Sequence, residues 1–126
     1  MGSIIKKRFD IQVTEADKVF SGSFELDKDI SFIRGILLTS NKDDLMYYRG
    51  SQKIEINKQE IVPEGYESKL LMCGINVSPN VRYYETGHTA VGNGQVKLEY
   101  RDTTDSRAPF EAYRVSIYLN CELKEA

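Results

Sequence analysis

The stretch YRVSIYLNCEL, residues 113–123, decides the fold. Tyr113, Val115, Ile117, Leu119, Cys121 and Leu123 lie on one side of an extended chain. Arg114, Ser116, Tyr118, Asn120 and Glu122 lie on the other. Strict alternation marks a strand with one face against a core and one toward water. A helix would scatter the same apolar residues around its circumference.

The period of two recurs outward from there. Phe9, Ile11 and Val13 alternate with Arg8, Asp10 and Gln12, and Phe20, Gly22, Phe24 and Leu26 with Ser21, Ser23 and Glu25. Val96, Leu98 and Tyr100 alternate with Lys97, Glu99 and Arg101. Over 46–56 the pattern predicts Met46, Tyr48, Ile54 and Ile56 inside and Tyr47, Arg49, Lys53 and Glu55 outside, with a bulge or bend at Gly50-Ser51. FIRGILL (32–38) and KLLMCGINV (69–77) are apolar on both faces. They are expected to be central strands, or strands whose register a bulge flips.

Turn-forming residues separate these runs: SNKDD (40–44), Asn57-Lys58, PEG (63–65), SPN (78–80), GNG (92–94) and DTTDSRAP (102–109). The only helix expected is a single turn at TEADK (14–18), capped by Thr14 with Asp17 reaching back. A chain of 126 residues is one domain by length. Met1-Gly2-Ser3 reads as a cloning remnant. Eight or nine strands without a long helix predict an all-β, two-sheet antiparallel sandwich, jelly-roll-like. The alternative is a closed, lipocalin-like barrel. An antibody-type sandwich is disfavoured, since the chain has no Trp.

Charge and cysteine content narrow the chemistry. Seventeen basic and nineteen acidic residues leave a formal charge of −2, spread along the chain. Generic nucleic-acid binding needs a basic surplus to displace counterions, so none is expected. Lys6-Lys7-Arg8 is the one basic cluster and reads as a solvated arm before the first strand. No run approaches the roughly 18 apolar residues of a membrane span, and no secretion signal is seen. Cys73 and Cys121 lie in apolar runs and read as free buried thiols, with one disulfide as the alternative. A reducing compartment fits, giving a cytoplasmic or virion location. Two Cys and one His do not make a zinc site.

VRYYETGHTAVGNG (81–94) holds the only histidine. A strand follows its glycines where a phosphate loop would need a helix, so the stretch reads as the turn between two strands. His88 reads as an exposed loop residue, for no nucleophile context accompanies it. The Asp pairs 27/29, 43/44 and 102/105 read as turn composition; they lack EF-hand spacing. No catalytic residues, metal ligands or cofactor are therefore expected. The two Tyr-Tyr pairs carry more weight. Tyr48 and Tyr83 are expected inside, and Tyr47, Arg49, Arg82, Tyr84 and Tyr118 outside. Tyr and Arg are enriched at protein interfaces, so those five are the candidate partner-binding set. The same tyrosines with the Asp-rich turns also suit a carbohydrate or small ligand.

The whole chain resembles small jelly-roll structural proteins of virions. LMYYRGSQKIEIN (45–57), IVPEGYESKLLMCGINV (61–77) and FEAYRVSIYLNCEL (110–123) carry the likeness. It is architectural and transfers no site residues. It implies a non-enzymatic capsid, vertex or decoration role, through contacts with like copies or a larger protein.

Overall fold

The computed structural model describes residues 4–73, 82–92 and 94–124, without the side chain of residue 88. Eight strands are present among them: β1 (Ile4–Val13), β2 (Val19–Glu25), β3 (Ile30–Ser40), β4 (Gly50–Ile56), β5 (Gln59–Glu67), β6 (Tyr84–Ala90), β7 (Gln95–Asp102) and β8 (Tyr113–Leu123). A short helix α1 (Asp43–Arg49) leads into β4, and a single 3₁₀ turn (Ser68–Leu70) follows β5.

The strands form two four-stranded antiparallel sheets, ordered β1-β8-β3-β6 and β2-β7-β4-β5. Strand β1 pairs with β8, β2 with β7, β3 with β6 and β4 with β5. The chain is thus one long hairpin ribbon, folded over so that β8 also meets β3 and β7 also meets β4. That nesting is the jelly roll. Among the described residues no strand pairing joins one sheet to the other, so the barrel alternative falls.

β8 supplies the core as its alternation requires: Tyr113, Val115, Ile117, Leu119 and Cys121 are all buried. Ile33, Ile36 and Leu38 of β3, Ile54 and Ile56 of β4, and Val96, Leu98 and Tyr100 of β7 meet them. FIRGILL is central as expected, and its doubled apolar pattern has a mechanical cause. Register shifts against β8 between Ile30 and Phe32 and between Ile33 and Gly35 insert one residue each. Each insertion reverses the parity, so Ile30, Ile33, Ile36 and Leu38 all reach the core.

Several sequence expectations give way. Residues 43–49 are helical, so a period of 3.6 replaces the period of two. Leu45, Met46 and Arg49 turn inward, while Tyr47 and Tyr48 stay exposed. Asp43 and Asp44 in the first turn and Arg49 in the last suit the helix dipole. TEADK is a non-helical turn with Asp17 at φ 57°. The start of KLLMCGINV completes the 3₁₀ turn, with Leu71 buried behind it, and residues 74–77 lie outside the described residues. PEG does not end a strand but bulges within β5, with Gly65 at φ 82°. The Lys6-Lys7-Arg8 cluster belongs to β1 itself rather than to an arm.

The β4–β5 hairpin turns on Asn57-Lys58 as expected, both at positive φ (52° and 63°). That is the type I′ geometry which matches sheet twist. SPN (78–80) and Asn93 of GNG lie outside the described residues.

Candidate interaction surfaces

Four of the buried polar residues, Arg49, Gln52, Ser68 and Asp102, gather at one end of the sandwich, while Ser116 and Glu122 lie further along β8. Asp102 ends β7 on its inward face and is 1% exposed; Arg49 ends α1 and is 4% exposed. Asp102 accepts four hydrogen bonds. Arg49 donates through Nε (3.0 Å) and Nη2 (2.8 Å), Tyr113 through its hydroxyl (2.7 Å) and Asp17 through its amide (3.0 Å). Arg49 Nη1 donates to the Ala108 carbonyl (3.0 Å), and the guanidinium lies over the Phe110 ring. The Tyr113 proton goes to the carboxylate, so Tyr100, 2.9 Å away, must donate to Tyr113.

Burial pushes the Asp102 pKa up. The bonds from Arg49, Tyr113 and the Asp17 amide outweigh it and hold the carboxyl below its ordinary value. The Asp102 bond keeps Arg49 more firmly charged. Burial drives both tyrosine hydroxyls well above their ordinary range. A carboxylate saturated by four donors is not free to act as a base. The network ties three loops together: Asp17 between β1 and β2, Ala108 and Phe110 between β7 and β8, and the α1–β4 junction. Gly50 sits against it, where a Cβ would collide with the Tyr100 hydroxyl. Among the described residues every buried side-chain polar atom has a hydrogen-bond partner.

The five candidate residues do not form one patch. Tyr47 (45% exposed) sits on α1, edge-on to Tyr48 (38%), which was expected in the core. Lys69 lies over the Tyr47 ring and Arg107 over that of Tyr48. Arg49 was expected outside and is instead the internal ion pair. Arg82 is half-buried in the coil before β6.

Tyr84 and Tyr83 exchange the faces expected of them. Tyr84 pairs across the ladder with buried Ile36 and meets Tyr66 of the other sheet edge to face, 6.4 Å between ring centres. It therefore closes the β5–β6 side of the sandwich, though 42% exposed. Tyr83 instead lies over Gly35 on the outer face. His88 belongs to strand β6 rather than to a loop; its side chain lies outside the described residues.

Tyr118 is the one member of the set on an open sheet face as expected. It stands at the middle of β8, on the outer face of β1-β8-β3-β6, with the Arg8 guanidinium 5.7 Å from its ring centre. One row along, Lys6 Nζ is 4.8 Å from the Tyr83 ring centre and donates to Asn120 (2.8 Å). Arg8 is held by Asp10, which also accepts from Ser116 (2.7 Å); those bonds lower the Asp10 pKa. Two tyrosines thus carry cations already fixed on their faces. Sequence reading missed Lys6, Arg8 and Tyr83. The signal was present: Arg8 and Tyr118 share an alternation face on strands that prove to be neighbours.

The outer face of the other sheet carries a shallow trough of about 240 Å³, lined by Ser21, Ser23, Lys53, Glu55, Lys97 and Glu99 among others. Among the described residues no group of three or more His, Cys, Asp or Glu is placed to hold a metal ion. No helix there is long and apolar enough to cross a membrane. Cys73 and Cys121 are both free; Cys121 is buried, which pushes its thiol pKa up to about 11, and Cys73 is half-buried.

These features define an all-β jelly-roll domain with an internal Arg49–Asp102 ion pair and an aromatic–cation row on one outer face. No family model, curated protein or solved structure matches the chain.

Proposed function

We propose that this chain is a non-catalytic structural domain that assembles with itself or a larger protein, as components of virions do. The observation that carries the reading is the Tyr118–Arg8 and Tyr83–Lys6 row on the outer face of β1-β8-β3-β6. Rigid tyrosines bearing pre-positioned cations lose little side-chain freedom on contact, which favours a protein interface. The jelly-roll ribbon agrees with the virion resemblance, and as a fold many functions share, it adds weight without deciding.

Crosslinking mass spectrometry on particles from the native source tests it. Crosslinks from Lys6 to a second protein, lost on Tyr118→Ser with Arg8→Ser, are expected. A chain recovered only as a free monomer with no crosslinked partner would overturn the reading.

A second reading, a carbohydrate- or small-ligand-binding module, draws on the hydroxyl- and charge-lined trough of the opposite sheet. Its lining holds no aromatic ring for a sugar to stack on. A glycan array run with and without calcium decides it; silence in both conditions removes it.

A further inference from the structure

We propose that β2 is a strand-pairing edge through which two copies of this chain join about a two-fold axis, making one sheet continuous across both copies. The inference takes its partner, a second copy, from the assembly reading above.

Among the described residues the two sheets end in four edge strands, β1, β6, β2 and β5. An open edge invites pairing with another chain, and folded proteins usually block it with charge, proline or bulges. Three edges here are blocked. β1 carries Lys6, Lys7 and Arg8 in succession. β5 carries Pro63 and bulges at Gly65, and β6 has Gly87 at φ 76° beside a register shift. β2 has none of these devices. Its register against β7 is unbroken from Val19 to Glu25, and it carries no proline and no charge before Glu25.

The ladder shows which groups are open. Asp102 N–H donates to the Lys18 carbonyl (3.0 Å) and Leu26 N–H to the Gly94 carbonyl (2.9 Å). Directly opposed hydrogen-bonded pairs alternate along an antiparallel ladder. The even-numbered residues of β2 therefore bond to β7, and Val19, Ser21, Ser23 and Glu25 turn their amides and carbonyls away from it.

The sequence of this edge is its own mirror. Phe20-Ser21-Gly22-Ser23-Phe24 reads the same in both directions. In an antiparallel pair centred on Gly22, Ser21 of one copy faces Ser23 of the other, and Phe20 faces Phe24. A two-fold register must centre on a residue, or outward groups would meet inward ones; a palindrome of odd length meets that condition. The serine pairs fall at the hydrogen-bonded positions. The Gly22 pair falls at a close, non-bonded one, where backbones approach to about 4.5 Å.

The side chains agree with this register. Phe20 and Phe24 are half-buried on the inner face at the open β1–β2 side, and Phe24 stacks on Phe9 at 4.5 Å. Aromatic pairs across the new ladder would cover the rest of those rings. Val19, 48% exposed, lies at the end of the same edge. Gly22 has an inward reason as well, since a Cβ there would meet the Phe24 ring at 2.6 Å.

Sedimentation velocity over a range of concentrations is the test, with hydrogen exchange on the same samples. The wild type should pass from 14.4 kDa toward twice that mass as concentration rises. The amides of Ser21 and Ser23 should gain protection over the same range, and those of β5 should not. Ser23→Lys places a charge on the exposed face of the edge and should move the midpoint up by roughly tenfold or more in concentration. Ser21→Pro removes one outward amide without touching the β7 ladder and should do the same. Circular dichroism confirms that each variant is folded. A wild type that stays monomeric at all concentrations overturns the inference and leaves the crosslinking test of a larger partner standing. A dimer indifferent to both substitutions, or dissolved by Tyr118→Ser instead, overturns it as well.

Discussion

At the residue scale, Asp102 is the group whose loss the fold feels most. Removing Arg49 leaves a buried carboxylate with its main counter-charge gone. Arg49→Ala should cost about 3–5 kcal/mol in urea unfolding, as breaking a buried pair from one side does. Tyr113→Phe removes one donor and leaves Tyr100 without its acceptor, and should cost roughly 1–3 kcal/mol. The same carboxylate sets the acid limit. Its folded pKa lies below the unfolded value of 3.8. Its contribution is therefore complete above about pH 5 and is lost as pH falls through the lowered value. Asp10 shares that sign, and urea midpoints measured from about pH 6 down to about pH 2 should fall steeply below about pH 4. Tyr100 and Tyr113 carry the opposite sign. Raised in the fold, they stabilise it below about pH 10 and cease to do so as alkali ionises them. Absorbance at high pH should show both ionising only as the protein unfolds. A reversible titration of all eight tyrosines near pH 10 would contradict the buried network.

At the scale of elements, hairpin β4–β5 offers the sharpest prediction. Lys58 occupies the left-handed region at φ 63°, where a side chain is penalised and glycine is not. Asn followed by Gly is the favoured type I′ pair, so Lys58→Gly should stabilise by roughly 0.5–1 kcal/mol. A rise in the urea midpoint at constant slope checks it; a fall would mean that Lys58 contributes something its backbone does not show. This turn was legible because turn chemistry is local, as was β8 because alternation is local. Residues 43–49 were misread for the same reason. Seven residues give barely two helical turns, and Met46 and Tyr48 happen to satisfy a period of two as well. The faces of Tyr83 and Tyr84 were lost because a strand's parity depends on its register with a neighbour. In β3 that register shifts at Ser31 and Arg34, which residue type alone does not announce. Arg49 illustrates the limit for the site: an arginine beside two tyrosines reads as surface until its carboxylate, 53 positions away, is known.

At the scale of the whole molecule, the nested pairing predicts an order of folding. The β4–β5 pair closes over a two-residue turn, whereas β1 and β8 are joined across nearly the full chain. Loop closure costs more as the loop lengthens, and structure already formed within a loop shortens it. The ribbon should therefore zip from β4–β5 outward, with β1–β8 docking last. Non-local pairing of this kind places the folding time in the range of about milliseconds to seconds. Two substitutions at opposite ends of the ribbon separate the stages. Lys58→Gly should act mainly on the folding limb of a chevron plot, as a group formed in the transition state does. Val13→Ala, at the buried end of β1 opposite Tyr113, should destabilise by about 1–3 kcal/mol and act mainly by speeding unfolding. If Val13→Ala instead slows folding by the whole of its destabilisation, the outer strands meet first. The rate of this jelly roll would then be set by bringing its two ends together.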